Sequence, residues 1–166
     1  MKTTLRFKFL SLLAALLALE GCATPEPDLV LHTPLGPLVQ SGANAAAPGS
    51  LLVYTPLEPS KFTENILYNH YSGFTLYDQN GRFFRRLPTT RDSLHPVPVP
   101  VVLPAGNYRI RARVVKLGEV SIPVVVRGGL NTFVFLDGID HPETAAAPAR
   151  AVRLPDGVIY GWRAQE

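Results

Sequence analysis

Proline and glycine punctuation constrains this chain more than any other feature. Sixteen prolines and thirteen glycines in 166 residues are too many for a helical domain of this size. Proline removes a backbone donor and clashes with the preceding helical turn, and glycine gives up the most conformational freedom on ordering. The runs between these breakers are short and read as strands. Residues 108–115 are the clearest, with Tyr108, Ile110, Ala112 and Val114 on one face and Arg109, Arg111 and Arg113 on the other. A period of two with one apolar face is a half-buried strand whose arginines face solvent. Residues 74–78 and 82–87 flank Gln79-Asn80-Gly81, which predicts a hairpin with positive φ at both central turn residues. A second hairpin is expected around Pro155-Asp156-Gly157, where proline presets the first turn residue and glycine takes the left-handed position. A third is expected at Gly128-Gly129, joining 120–126 to 132–136. Residues 51–55 read as a short strand, whereas 62–71 fit either a helix or a strand. Pro96, Pro98 and Pro100 alternate with valines, so one side of that run has no donors. It is expected as an edge strand or an extended rim. Short strands about 8–12 residues apart, with no crossover helix between them, predict an antiparallel sandwich or barrel.

The amino-terminal residues have a different character. Lys2, Arg6 and Lys8 precede an apolar run over 9–19 broken only by Ser11, and Leu19-Glu20-Gly21-Cys22 follows. The run is about half of the ~20 residues a membrane-spanning helix needs, so it reads as an export signal. The tetrad resembles the bacterial lipobox, from which it departs at Glu20, a position normally small and uncharged. The resemblance implies cleavage before Cys22, a diacylglycerol on its thiol and an acyl chain such as palmitate on the new amino terminus. Two or more chains give stable anchoring. Ala23 follows the cysteine in place of aspartate, which by the same resemblance implies the outer membrane of a Gram-negative envelope. Residues 1–21 are thus the expected signal peptide. Removing three cations and one anion with it lowers the formal charge from +3 to about +1 (3 − 3 + 1). Cys22 is the only cysteine, so no disulfide framework or thiolate metal site is expected.

Residues 22–50 hold Pro25, Pro27, Pro34, Pro37, Pro48 and Ala45-Ala46-Ala47. They read as a flexible tether reaching on the order of 30 Å. The alternative is that Leu29-Val30-Leu31 or Pro37-Leu38-Val39 adds a strand to the domain edge. The folded domain is expected over 51–166, with Trp162 sealing one end of its core.

Leu103-Pro104-Ala105-Gly106-Asn107-Tyr108, then Val124-Val125-Val126-Arg127-Gly128-Gly129 and Thr132-Phe133-Val134-Phe135-Leu136, resembles the carboxypeptidase regulatory-like modules and the related PEGA surface domains. The resemblance covers about 74–136 and implies an all-β fold, an antiparallel immunoglobulin-like or transthyretin-like β-sandwich. It also implies a non-catalytic role in spacing, adhesion or surface contact. Independently of it, Gly106 permits a sharp turn, and Tyr108 can bury its ring while its hydroxyl bonds a backbone group, as in a tyrosine corner. Residues 156–163 resemble the close of small bacterial lipoproteins of unassigned role.

Candidate binding residues are Arg82, Arg85, Arg109, Arg111 and Arg113, with Arg86 and Arg91 beside them, and Tyr68 and Tyr71. Arginine rows on adjoining strands would form a basic face for lipid phosphate or anionic glycan. A solvated face that keeps the domain soluble is the plainer reading. Exposed tyrosines would stack sugars or anchor a protein, whereas core filling is their commoner fate. His32, His70, His95 and His141 have no metal-ligand spacing. Asp137, Asp140, His141 and Glu143 share a loop that reads as a Ca²⁺ ligand set or as a polar turn. No serine elbow and no phosphate-cradling loop is found. The expectation is therefore a non-enzyme with no cofactor, no metal and no nucleic-acid partner. It would be a lipid-anchored envelope module docking a protein. The alternatives are a glycan- or polyanion-binding module or, less favoured, a hydrolase of envelope polymers.

Overall fold

The computed structural model describes residues 29–38, 44, 46–62, 66–87, 98–139, 141 and 148–165, and the side chains of 59–62 and 66–70 lie outside that description. The expected signal segment, Cys22, Arg91, Asp140 and Glu143 fall outside the described residues. These are strands and turns, apart from one 3-10 turn at Pro148–Arg150. Among them no helix is long and apolar enough to cross a membrane.

The alternating run forms β9 (Gly106–Val114), which folds back onto β10 (Gly118–Val126) in an unbroken antiparallel register. Ile110, Ala112 and Val114 are buried opposite Val120 and Ile122, so the two strands bury one continuous apolar face. β6 (Phe74–Asp78) pairs with the far side of β9, and β7 (Phe83–Leu87) pairs with β6 at the edge of the sheet. The hairpin between β6 and β7 is where the sequence puts it, but its turn differs. Asp78 closes it: its carbonyl accepts from the Gly81 N–H at 3.0 Å, and its carboxylate accepts from the Asn80 and Arg82 N–H groups at 2.8 and 2.9 Å. Only Gly81 has positive φ, at 75°. This is a type I turn followed by a left-handed glycine, which inserts one more residue than a primed turn would. Beyond that turn the register slips separately between Leu76 and Tyr77: Tyr77 pairs with Phe83 and Leu76 with Arg85, which leaves Phe84 as an extra residue in β7.

The other side of β10 corrects the expected tether. β1 (Leu29–Val30) and β2 (Leu35–Gly36) both pair with β10, and in parallel. β2 also pairs with β13 (Ile159–Arg163), which pairs with β12 (Ala151–Arg153). Leu35 is fully buried in the main core, so the domain begins by residue 29 rather than 51. Pro34 and Pro37 flank β2, where a missing donor costs little. The hairpin of β12 and β13 turns at Pro155-Asp156-Gly157, with Gly157 at φ 88°.

A second sheet runs β11 (Asn131–Phe135), β3 (Gly49–Tyr54), β8 (Val101–Leu103), and β11 lies parallel to β3. The Gly128-Gly129 turn is therefore not a hairpin. It carries the chain from one sheet to the other, and a side chain at Gly128 would meet the carbonyl oxygens of Asn44 and Ala47. Leu51, Val53, Val101, Leu103 and Val134 of this sheet pack onto the apolar face of the larger one as a single core. The molecule is an all-β sandwich with mixed sheets. Its parallel pairs need no crossover helix, because the intervening strands themselves make the connection. The ambiguous 62–71 stretch is strand: β4 (Leu57–Phe62) pairs with β5 (Ile66–Tyr71) as a separate ribbon. Pro98 to Pro100 run outside any ladder into β8, an edge strand. The Tyr108 hydroxyl donates to the Pro104 carbonyl at 3.0 Å, closing the expected corner, and burial pushes its pKa up. Trp162 is fully buried edge-on against Phe133 and Phe135.

Candidate functional site

The outward face of the large sheet is ordered by its register. One row crosses four strands as Arg86, Thr75, Arg111 and Ser121, and the next crosses as Phe83, Tyr77, Arg109 and Pro123. Arg113 stands opposite Glu119. The sheet therefore brings together Arg109, Arg111 and Arg113 as expected, and adds Arg86 across Thr75. Arg111 Nε lies 2.8 Å from Glu119 Oε1, and Arg109 Nη1 donates to Ser121 Oγ at 3.2 Å. Four arginines against one carboxylate leave this face cationic. A shallow groove of about 450 Å³ runs along it between Thr75, Arg86, Arg111 and Arg113. The geometry can hold an anionic group by its guanidinium donors.

Two of the expected arginines stand elsewhere. Arg82 is in the exposed turn after Gly81. Arg85 pairs with the fully buried Leu76, which assigns it to the inner face. Consecutive strand residues point to opposite faces, so Arg85 and Arg86 cannot both join the outer row.

Of the two expected tyrosines, Tyr71 is corrected. Tyr71 is buried and meets Tyr54 edge-on at 6.0 Å, so it offers no platform for a sugar. Burial first, then Asp137 and Tyr54, push its phenol pKa up to about 12. Tyr68 lies in β5 opposite Ser60, and its side chain is outside the described residues. Among the described side chains the exposed aromatics are on the edge strand β7, where Phe83 is 64% and Phe84 47% exposed. Phe83 meets Tyr77 edge-on, and Phe84 meets Tyr108 in the same way. Among the described residues β7 pairs with β6 alone, so one side of its ladder is open to a further strand.

The expected polar loop acts on packing. Asp137 holds His141 Nε2 at 3.0 Å from both carboxylate oxygens, and the imidazole stacks on Phe135 at 4.4 Å between centroids. Among the described residues no three His, Cys, Asp or Glu side chains come together as a metal site. Sequence reasoning missed this His141–Phe135–Tyr54 cluster, and the alternation of β3 and β11 was the signal for it: their second faces carry Tyr54 and Phe135 in register. No protein-family model matches the chain, and neither the curated proteins nor the solved structures give a match.

Proposed function

We propose that this protein is a non-catalytic interaction module, held at the outer membrane of a Gram-negative envelope by lipid on Cys22. It docks a partner protein by strand addition at β7. The observation that carries this reading is the β7 edge: four of its five residues are exposed, two of them phenylalanines, and no described strand covers it. Soluble domains blunt such edges unless they use them. The likeness to carboxypeptidase regulatory-like modules supports the same role, and so does the tyrosine corner at Tyr108. The arginine rows beside the edge would fix orientation and speed encounter with an acidic partner.

The test is photo-crosslinking in native membranes from a benzophenone amino acid at position 84, with position 153 on the opposite edge strand as control. The expected result is one reproducible protein adduct from position 84, lost when Arg86→Pro removes a ladder donor. A second reading is favoured by the row Arg86, Thr75, Arg111: a face that binds anionic glycan. Adducts that carry glycan and no protein would move the function to that face and away from the edge.

A further inference from the structure

Among the described residues the sandwich is open between the edges β7 and β8, and the opening is chemically unusual. It is a cleft of about 550 Å³, within the ordinary range of small-molecule pockets. Val53, Tyr71, Phe74, Leu87 and Val101 make it apolar. Arg85 stands at its mouth with Arg86, and neither guanidinium has an ion-pair partner among the described residues. Arg85 occupies an inner-face register position, opposite the fully buried Leu76, where the strand pattern calls for an apolar side chain. Ser72 lines the same cleft, is 92% buried (100 minus 8% exposed), and its hydroxyl has no hydrogen-bond partner among the described residues. The Ser72 carbonyl is occupied, accepting from the Thr55 hydroxyl at 2.6 Å, which fixes the backbone beneath it.

We infer that this cleft binds a single-chain amphiphile with an anionic head, of the long-chain carboxylate class. The apolar walls take the hydrocarbon chain, gaining about 0.8 kcal/mol per buried CH₂. Arg85 takes the carboxylate, for which the guanidinium fork is the matching donor set, and Arg86, whose register position is on the outer row, adds positive charge at the mouth. Ser72 supplies a further O–H donor. An inward arginine can also serve to guard an edge from aggregation. That role leaves the orphaned hydroxyl and the apolar space behind the arginine without a purpose, whereas a carboxylate ligand uses all three. Breaks in local patterning of this kind are where functional sites are found.

The probe is a palmitate analogue carrying a photoreactive diazirine, added to the full chain purified with its anchor into lipid nanodiscs. Labelled peptides are mapped by mass spectrometry. Labelling is expected at 53–55, 71–74 and 98–102, and palmitate should compete at least tenfold better than hexadecanol. Arg85→Gln should lower labelling about tenfold, the effect of one charged hydrogen bond in a partly desolvated site. Lys116→Gln, a charge loss on a distant turn, should leave it unchanged. Ser72→Ala should reduce labelling severalfold while leaving the thermal transition equal or higher, because it removes a buried donor with no partner. A purely structural serine would not give that combination. Labelling outside these segments, equal competition by hexadecanol, or full labelling of a folded Arg85→Gln protein would each overturn the proposal.

Discussion

Tyr108 bonds its hydroxyl within the fold, whereas Ser72 buries one with no partner among the described residues, and the contrast predicts opposite mutational signs. The Tyr108 hydroxyl reaches back to Pro104, so Tyr108→Phe removes a hydrogen bond and leaves a carbonyl to find water. The loss should be about 1 kcal/mol, read as a lower denaturant midpoint at unchanged slope. Tyr71 carries a pH prediction. Its folded-state pKa is raised from 10.0 to about 12, chiefly by burial. The native state thus keeps its proton after the unfolded state has lost it. Stability from this group is full below pH 10 and is lost as pH rises towards 12. Burial also raises Tyr108 and Tyr160, which steepens the same alkaline limb. Tyr71→Phe should flatten that limb in a chemical-denaturation series from pH 9 to 12, and an unchanged limb would show that Tyr71 does not titrate as its environment dictates. The bond of Tyr108 was legible because its turn residues are adjacent in the chain. The burial of Tyr71 was not, since it depends on Tyr54, seventeen residues earlier, and on the Asp137 loop.

At the scale of elements, β2 is the one that holds the large sheet together. It lies between β10 and β13, so removing it severs the terminal hairpin from the sheet. Leu35→Ala should cost about 2–5 kcal/mol, the range for truncating a fully buried leucine. A chain beginning at Leu51 should lose its cooperative transition in thermal unfolding. If such a chain melts like the full protein, the amino-terminal strands are ornamental and the domain boundary returns to 51. Sequence patterning located β6, β7, β9, β10, β12 and β13 because each alternates or is bounded by its own turn. It offered Leu29-Val30-Leu31 only as an alternative strand, and it did not find β2, because two residues carry no period and parallel partners leave no turn between them. It also misread Gly128, where the need for glycine comes from the close approach of the Asn44 and Ala47 carbonyls and not from a hairpin. The arginine rows were half legible for a related reason. Alternation gives the face of Arg109, Arg111 and Arg113, but the slip at Tyr77 decides which of Arg85 and Arg86 joins them.

For the whole molecule, the early start of the domain changes what an anchor on Cys22 would do. From residue 22 to β1 at residue 29 there are seven peptide steps, which span at most about 25 Å. An anchor there would hold the domain close to the lipid, where a free tether to residue 50 would let it roam. β1 sits beside β10, and β7 is four strand positions away, about 19 Å across the sheet. The side that an anchor on Cys22 would hold and the β7 edge therefore lie apart across the large sheet, so the edge could meet a partner with the lipid engaged. Cys22 lies before the first described strand, so Cys22→Ser should leave the unfolding transition intact and change only the covalent state. Native protein extracted from membranes should have the mass of residues 22–166 plus a diacylglycerol and an acyl chain. The Cys22→Ser chain should keep residues 1–21 and lose the added mass, because the lipid is what licenses cleavage in the lipobox scheme. Native protein with a free thiol and an unshortened chain would remove the anchor, and with it the reason to place the β7 edge at a membrane.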